Sequence, residues 1–220
     1  MAEAFFQATA WTMDTPKPYG AFILVLTVLG VSLSIFLARK FSFPERKAGP
    51  DTILFLCGLF LGLTELYKQG FIYYIENGRT YDWWYFPFQL CSVPMYLGLF
   101  IPMVPARIRN VFYLFIQDFG LLGGIMALAE PSGLMHPYWT MTVHGFLWHF
   151  NLIFMGLICA FYNLKTETPK SYLHTIPLFL FCTAIATAVN VLSHPYGNAD
   201  MFYISPYYPN GRSSFTRSPW

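Results

Sequence analysis

The chain is short of charge. Only 11% of its 220 residues are Asp, Glu, Lys or Arg, where a soluble domain carries roughly a quarter. So few charges cannot solvate the outside of a compact fold of this size, which excludes an ordinary soluble domain. A basic excess is lacking too: the formal net charge is +2, leaving no electrostatic footprint for nucleic acid and no polybasic lipid anchor. The four cysteines, Cys57, Cys91, Cys159 and Cys182, fall inside apolar stretches with no CxxC or zinc-like spacing. Neither a disulfide framework nor a structural zinc is expected. The first residues carry no basic n-region and no small-residue cleavage site ahead of the first apolar run, so no cleavable signal peptide is expected. Internal repeats, low-complexity tracts and dividing linkers are missing as well. The reading is one domain over residues 1–220.

What is present is apolar and aromatic: 55% hydrophobic residues, with 23 Phe, 15 Tyr and 6 Trp. A membrane span needs about 20 largely apolar residues, and Trp and Tyr suit the interfaces. Six segments meet or approach that length: 19–37, 52–72, 84–104, 111–128, 139–162 and 173–192. The third is interrupted by Pro87, Pro94 and Pro102. The expected fold is an all-α polytopic membrane bundle of about six transmembrane helices.

The loops suggest an orientation. Arg39, Lys40, Arg46 and Lys47 follow the first segment, Arg107 and Arg109 the third, and Lys165 and Lys170 the fifth. The alternate loops hold Arg79 and then, over residues 130–138, no Lys or Arg. By the positive-inside rule the basic loops are cytoplasmic and the N-terminus lies outside. Residues 1–18 then form an extracytoplasmic segment. Residues 193–220, rich in Pro, Tyr, Ser and Gly, form an irregular extracytoplasmic tail.

Polar groups within spans are costly and therefore point to function. Counting about 1.5 Å per residue, Glu65, Lys68, Gln89, Cys91, His144, His149 and Asn190 share one layer in the outer half of the bilayer. Asp118 sits nearer the middle. A belt contributed by several helices suggests one buried or water-filled site between them. Blander readings stand beside it. Glu65 and Lys68, three apart, also fit an intrahelical ion pair snorkelling outward. His144 also fits an imidazole bonded to a backbone carbonyl, and cysteines in membrane helices commonly just pack. His144 and His149, five apart, stand about 140° apart around a helix, so no metal is expected. No other cofactor is expected either.

Particular strings add to this. FPFQLC (86–91), GGIMALAEP (123–131), FLWH (146–149) and GNADMFYISP (197–206) resemble, in order, four segments of the YwaF-like integral membrane family. That family is related to the transmembrane protein 164 acyltransferases. The resemblance covers about residues 50–206 and implies transfer of fatty acyl chains between phospholipids or lysophospholipids by a membrane-embedded Cys and His. Cys91 takes the nucleophile position and His149 the base, with His144 a rival. Gln89, Glu65, His144 and Asn190 are supporting candidates. Two positions depart from the pattern: Trp148 replaces a serine before the histidine, and Gln89 stands where many relatives have histidine. The resemblance also implies a further hydrophobic helix after the tail, a seventh, which this sequence lacks or has replaced. The YwaF-like resemblance places the protein in a bacterial cell membrane.

The chemistry requires a base. A thiol in apolar surroundings resists ionisation, so a histidine within hydrogen-bond reach must take its proton. Gln89 is a candidate oxyanion donor, and Glu65 a candidate carboxylate to orient the histidine. Competing readings are a small transporter with a Glu65, Asp118 and His149 proton relay, and a non-catalytic membrane partner protein.

Overall fold

The computed structural model describes residues 2–42, 50–163, 168 and 170–207. Arg46, Lys47 and Lys165 of the basic loops, and the tail beyond residue 207, lie outside the described residues. The elements are α1 (Ala2–Gln7), α2 (Ala21–Phe41), α3 (Asp51–Phe71), α4 (Val93–Phe100), α5 (Ala106–Phe115), α6 (Leu121–Ala129), α7 (Trp139–Asn163) and α8 (Ile176–Ser193). A π-helical turn, Ile72–Glu76, extends α3, and another, Ile116–Gly120, joins α5 to α6 in one rod. Pro94 and Pro177 sit in the first turns of α4 and α8, where a missing N–H leaves no intrahelical bond unmade. Among the described residues no strand forms; Thr12 and Tyr138 make an isolated antiparallel bridge.

Among the described residues, four helices are long and apolar enough to cross a membrane: Ala21–Phe41, Ala106–Ala129, Trp139–Asn163 and Ser171–Ser193. The protein is an integral membrane protein built on these. The other two expected spans differ for physical reasons. α3 is 21 residues long, but Glu65, Lys68 and Gln69 occupy its last turns. The third segment is shorter than the sequence suggested: its apolar helix covers Leu90–Met103, about 21 Å at 1.5 Å per residue. Pro87 is the cause. The residue before a proline is driven to extended backbone, and Phe86 has φ −54° and ψ 130°. Helix cannot begin until Gln89, still extended, has passed. Cys91 therefore lies in a helix's first turn.

The bundle is centred on α7, which packs on α2, α3, α5 and α6. Small residues permit the closest crossings, as is usual where lipid supplies no hydrophobic drive between helices. A Cβ on Gly58 of α3 would stand 2.8 Å from the Leu99 nitrogen, and one on Gly98 of α4 would stand 2.7 Å from the Leu54 oxygen. Polar side chains also join the helices: Ser34 donates to the Phe150 carbonyl at 3.1 Å and Asn151 to that of Cys57 at 3.3 Å. α2 turns Val28, Leu29, Leu33 and Phe36 outward.

With α5 and α6 counted as one rod, successive long helices from α2 onward alternate in direction, so the connections sort to two ends. At one end Arg109 pairs with Asp51, which also accepts from the Tyr113 hydroxyl. The N-terminal segment, residues 72–90, residues 130–138 and the tail gather at the other. There the Met13 N–H donates to Pro137 and the Trp139 N–H to Trp11, both at 2.9 Å. The described part of the tail, residues 194–207, packs back on the bundle. Asn190 clamps it by donating to the Met201 carbonyl at 3.0 Å and accepting the Met201 N–H at 2.6 Å. Met201 and Ala199 are buried against Ala186, Trp83 and Phe86. The irregular segment expected from composition is thus a folded cap on the bundle.

Candidate functional site

A cavity of about 170 Å³ opens at the capped end, and Glu65, Gln89, Cys91, His144 and His149 all line it. Five of the six residues expected at a site are brought together. Asn190 is not among them; it is buried, and its amide is spent on holding the tail. Asp118 lies on the π turn of the α5–α6 rod and does not border the cavity. His149 stands ten residues into α7, about 15 Å from its start, so the cavity penetrates the bundle well below its end.

Cys91 occupies the 3-10 turn Leu90–Ser92 and is partly buried. All four cysteines are free thiols, and Cys57, Cys159 and Cys182 are buried in the main apolar core away from this lining. The paired glycines of α6 face both candidate catalytic segments. A Cβ on Gly123 would stand 3.6 Å from the Cys91 Cβ, and one on Gly124 would stand 3.1 Å from the His149 carbonyl oxygen. The small-residue string 123–131 thereby lets α6 pack against the Cys91 turn and α7 at once.

His149 is only 7% exposed. Its Nδ1 lies 2.7 Å from the Gly145 carbonyl oxygen, one turn earlier in the same helix. A carbonyl can only accept, which assigns the hydrogen to Nδ1 and leaves Nε2 as the basic nitrogen of the neutral ring. His144 differs: its Nε2 is buried without a hydrogen-bond partner among the described residues, and its ring lies against Trp148 at 5.6 Å between centroids. Both histidines border the cavity despite their separation around α7. Among the described residues no group of three His, Cys, Asp or Glu side chains is placed to hold a metal ion.

Two supporting residues are engaged otherwise than expected. Glu65, 4% exposed, accepts from Gln69 at 2.7 Å and pairs with Lys68 at 2.8 Å. The ion pair is real, but it borders the cavity instead of snorkelling outward. His149 Nδ1 is held by the Gly145 backbone carbonyl and not by Glu65. Gln89 holds the tail: its Nε2 donates to the Asp200 carbonyl at 3.0 Å, and its Oε1 accepts the Phe202 N–H at 2.9 Å. One N–H of that amide remains for any second partner.

Sequence reasoning missed His136, Tyr203 and Glu76, and it noted Trp148 only as a departure from the family pattern. Trp148 donates from Nε1 to the Cys91 carbonyl at 3.2 Å. Tyr203 reaches the cavity from the tail through an unusual backbone, with Phe202 at φ 58° and Tyr203 at φ 55°. Left-handed backbone in two successive aromatic residues is strained and survives only where surrounding contacts impose it. The two amide clamps and the Phe88–Phe202 stack, 5.9 Å apart and 3° from parallel, supply those contacts. His136 lines the cavity, with its Nδ1 4.0 Å from Glu76 Oε1. Burial and then the nearby Lys68 push the His136 pKa down to about 4. Burial, aided by Asp82, pushes Glu76 up to about 7. The proton of this pair belongs on the carboxyl. Both residues lie beyond the span limits, where a search for polar groups at depth does not look.

The model of the TMEM164 family matches residues 12–220. The chain belongs to the TMEM164 family. The match bears out that side of the resemblance read from four short strings, without adding support for the YwaF-like name. No curated protein and no solved structure matches the chain. The TMEM164 match extends over nearly the whole sequence, including the capping tail.

Proposed function

We propose that this TMEM164 family protein is a membrane-embedded lipid acyltransferase that moves a fatty acyl chain between phospholipids, with Cys91 as nucleophile and His149 as base. One observation carries the reading: a single cavity is bordered by the thiol-bearing turn and by an imidazole whose basic Nε2 is set by its own helix.

The reaction divides into two balanced halves. His149 Nε2 takes the Cys91 thiol proton as sulfur attacks the ester carbonyl of a donor phospholipid. The carbon–oxygen ester bond breaks, and the same proton passes to the departing alkoxide, leaving an acyl thioester and a lysophospholipid. An acceptor hydroxyl then gives its proton to Nε2 and attacks the thioester carbonyl. The carbon–sulfur bond breaks, and the thiolate recovers the proton. The remaining N–H of Gln89 is the candidate donor to the oxyanion, an interaction worth about 3 kcal/mol where well aimed. A site at this depth meets its esters by lateral diffusion, and the surrounding hydrocarbon excludes water that would divert the thioester to hydrolysis.

The same reading takes all six rods as spans, with α3 and the Leu90–Met103 helix completing the four clear ones. It places the capped end outside and the Arg39, Lys40, Arg107, Arg109 and Lys170 end in the cytoplasm. The test uses purified protein in liposomes with a labelled donor phospholipid and an unlabelled lysophospholipid. Cys91→Ala and His149→Ala are each expected to abolish transfer. Transfer at the parent rate by either variant overturns the mechanism.

A further inference from the structure

The residue before the candidate base is a tryptophan, 5% exposed, whose Nε1 donates to the Cys91 carbonyl oxygen at 3.2 Å. We propose that Trp148 is the positioning residue of the site, its indole N–H holding the Cys91 turn against the helix that carries His149. The proposal rests on the acyl-transfer reading above and names what sets its two groups relative to each other.

The turn itself cannot supply this bond. In a 3-10 turn each carbonyl accepts from the N–H three residues on. The pattern runs from Ser92 N–H to Gln89 at 2.8 Å and from Val93 N–H to Leu90. The next bond in the series would run to Cys91 from residue 94, which is proline and has no N–H. The indole N–H takes that place. It comes from another helix, so the bond is tertiary and references Cys91 directly to α7.

The donor is itself fixed. His144, four residues earlier on the same helix face, lies against the indole at 5.6 Å and 36°. The Gly123–Gly124 pair faces the Cys91 turn and the His149 backbone, where an added Cβ would stand 3.6 Å from the Cys91 Cβ and 3.1 Å from the His149 carbonyl oxygen, so α6 packs on both segments at once. Trp148 and His149 are consecutive, and any shift of the Cys91 turn relative to the indole is a shift relative to the base. A thiol and a base displaced by about 1 Å can lose up to a hundredfold in rate.

The test compares Trp148→Phe, which keeps a ring, with benzothienylalanine introduced at position 148, which keeps the indole shape and replaces its N–H by sulfur. Both are assayed in liposomes for kcat, KM and the single-turnover rate of thioester formation at Cys91. The expected result is a fall of about tenfold in kcat and in thioester formation for both variants, with KM unchanged. The benzothienyl protein should melt close to the parent, which separates positioning from packing. Parent-like kcat in the benzothienyl protein overturns the proposal, as does a loss of rate matched by an equal loss of folded protein. Cys91→Ala run alongside tells the two failures apart. Full transfer by that variant sinks the acyl-transfer reading itself, whereas an inactive Cys91→Ala beside unimpaired position-148 variants removes only the role of Trp148.

Discussion

At the scale of single residues, the polar groups of this protein divide by whether their partners are near in sequence. Cys91, His149 and Glu65 were legible because each is a polar side chain in an apolar run, and such a group must face something other than lipid. What each one bonds was not legible. Glu65 serves Lys68 and Gln69, and Gln89 serves a tail more than a hundred residues downstream. The Glu76–His136 contact was invisible for the same reason, and it yields a pH-dependent prediction. With its folded pKa raised to about 7, Glu76 binds its proton more tightly folded than unfolded. Its burial therefore costs nothing at pH 4 and costs progressively more as pH rises through 7. Glu76→Gln should melt at a higher temperature than the parent at pH 8, with the gain vanishing by pH 4. A gain that is equal at both pH values would show that ionisation is not its cause.

At the scale of elements, apolar runs located the helices but not their ends. Pro87 was read as an interruption inside a span, while the structure uses it to delay helix until Leu90. That delay delivers Cys91 to a first turn at the cavity. The crossing of α3 and α4 depends on glycines whose meeting no local pattern announces, since Gly58 and Gly98 belong to different runs. A side chain at either position meets backbone and not a yielding side-chain tip. Gly58→Val and Gly98→Val should each destabilise the bundle by about 1–3 kcal/mol or more, read as earlier unfolding in mixed detergent micelles. Gly133→Ala is the control, because nothing stands within 4 Å of a Cβ there. Equal effects at all three positions would mean that helix propensity and not close approach is being measured.

At the scale of the whole molecule, all-helical membrane architecture followed from composition, because a chain with so little charge has few other places to fold. The closing of one end did not follow. Composition marked residues 193–220 as irregular, and the described part through residue 207 largely is, but irregular backbone can be rigid when side-chain amides take over the hydrogen bonds of regular structure. The N-terminal segment and the tail share the capped end, which makes a topological prediction. Single cysteines placed at Asp14 and at Tyr196 in a cysteine-free background should react with a membrane-impermeant maleimide from the same face of intact cells or vesicles. Labelling from opposite faces would overturn the arrangement of the bundle in the membrane.

The cap also has a consequence for synthesis. The wall that Tyr203 contributes, and the Asp200 and Phe202 backbone that Gln89 grips, leave the ribosome after α8 has already been made. Until then Gln89 has no tail to hold, and the cavity stands open beside Cys91. On the acyl-transfer proposal, a nascent chain therefore makes its helices before the segment that closes the proposed pocket. On the same proposal, chains halted after α8 should insert but transfer no acyl groups, a delay between entering the membrane and acquiring the proposed chemistry.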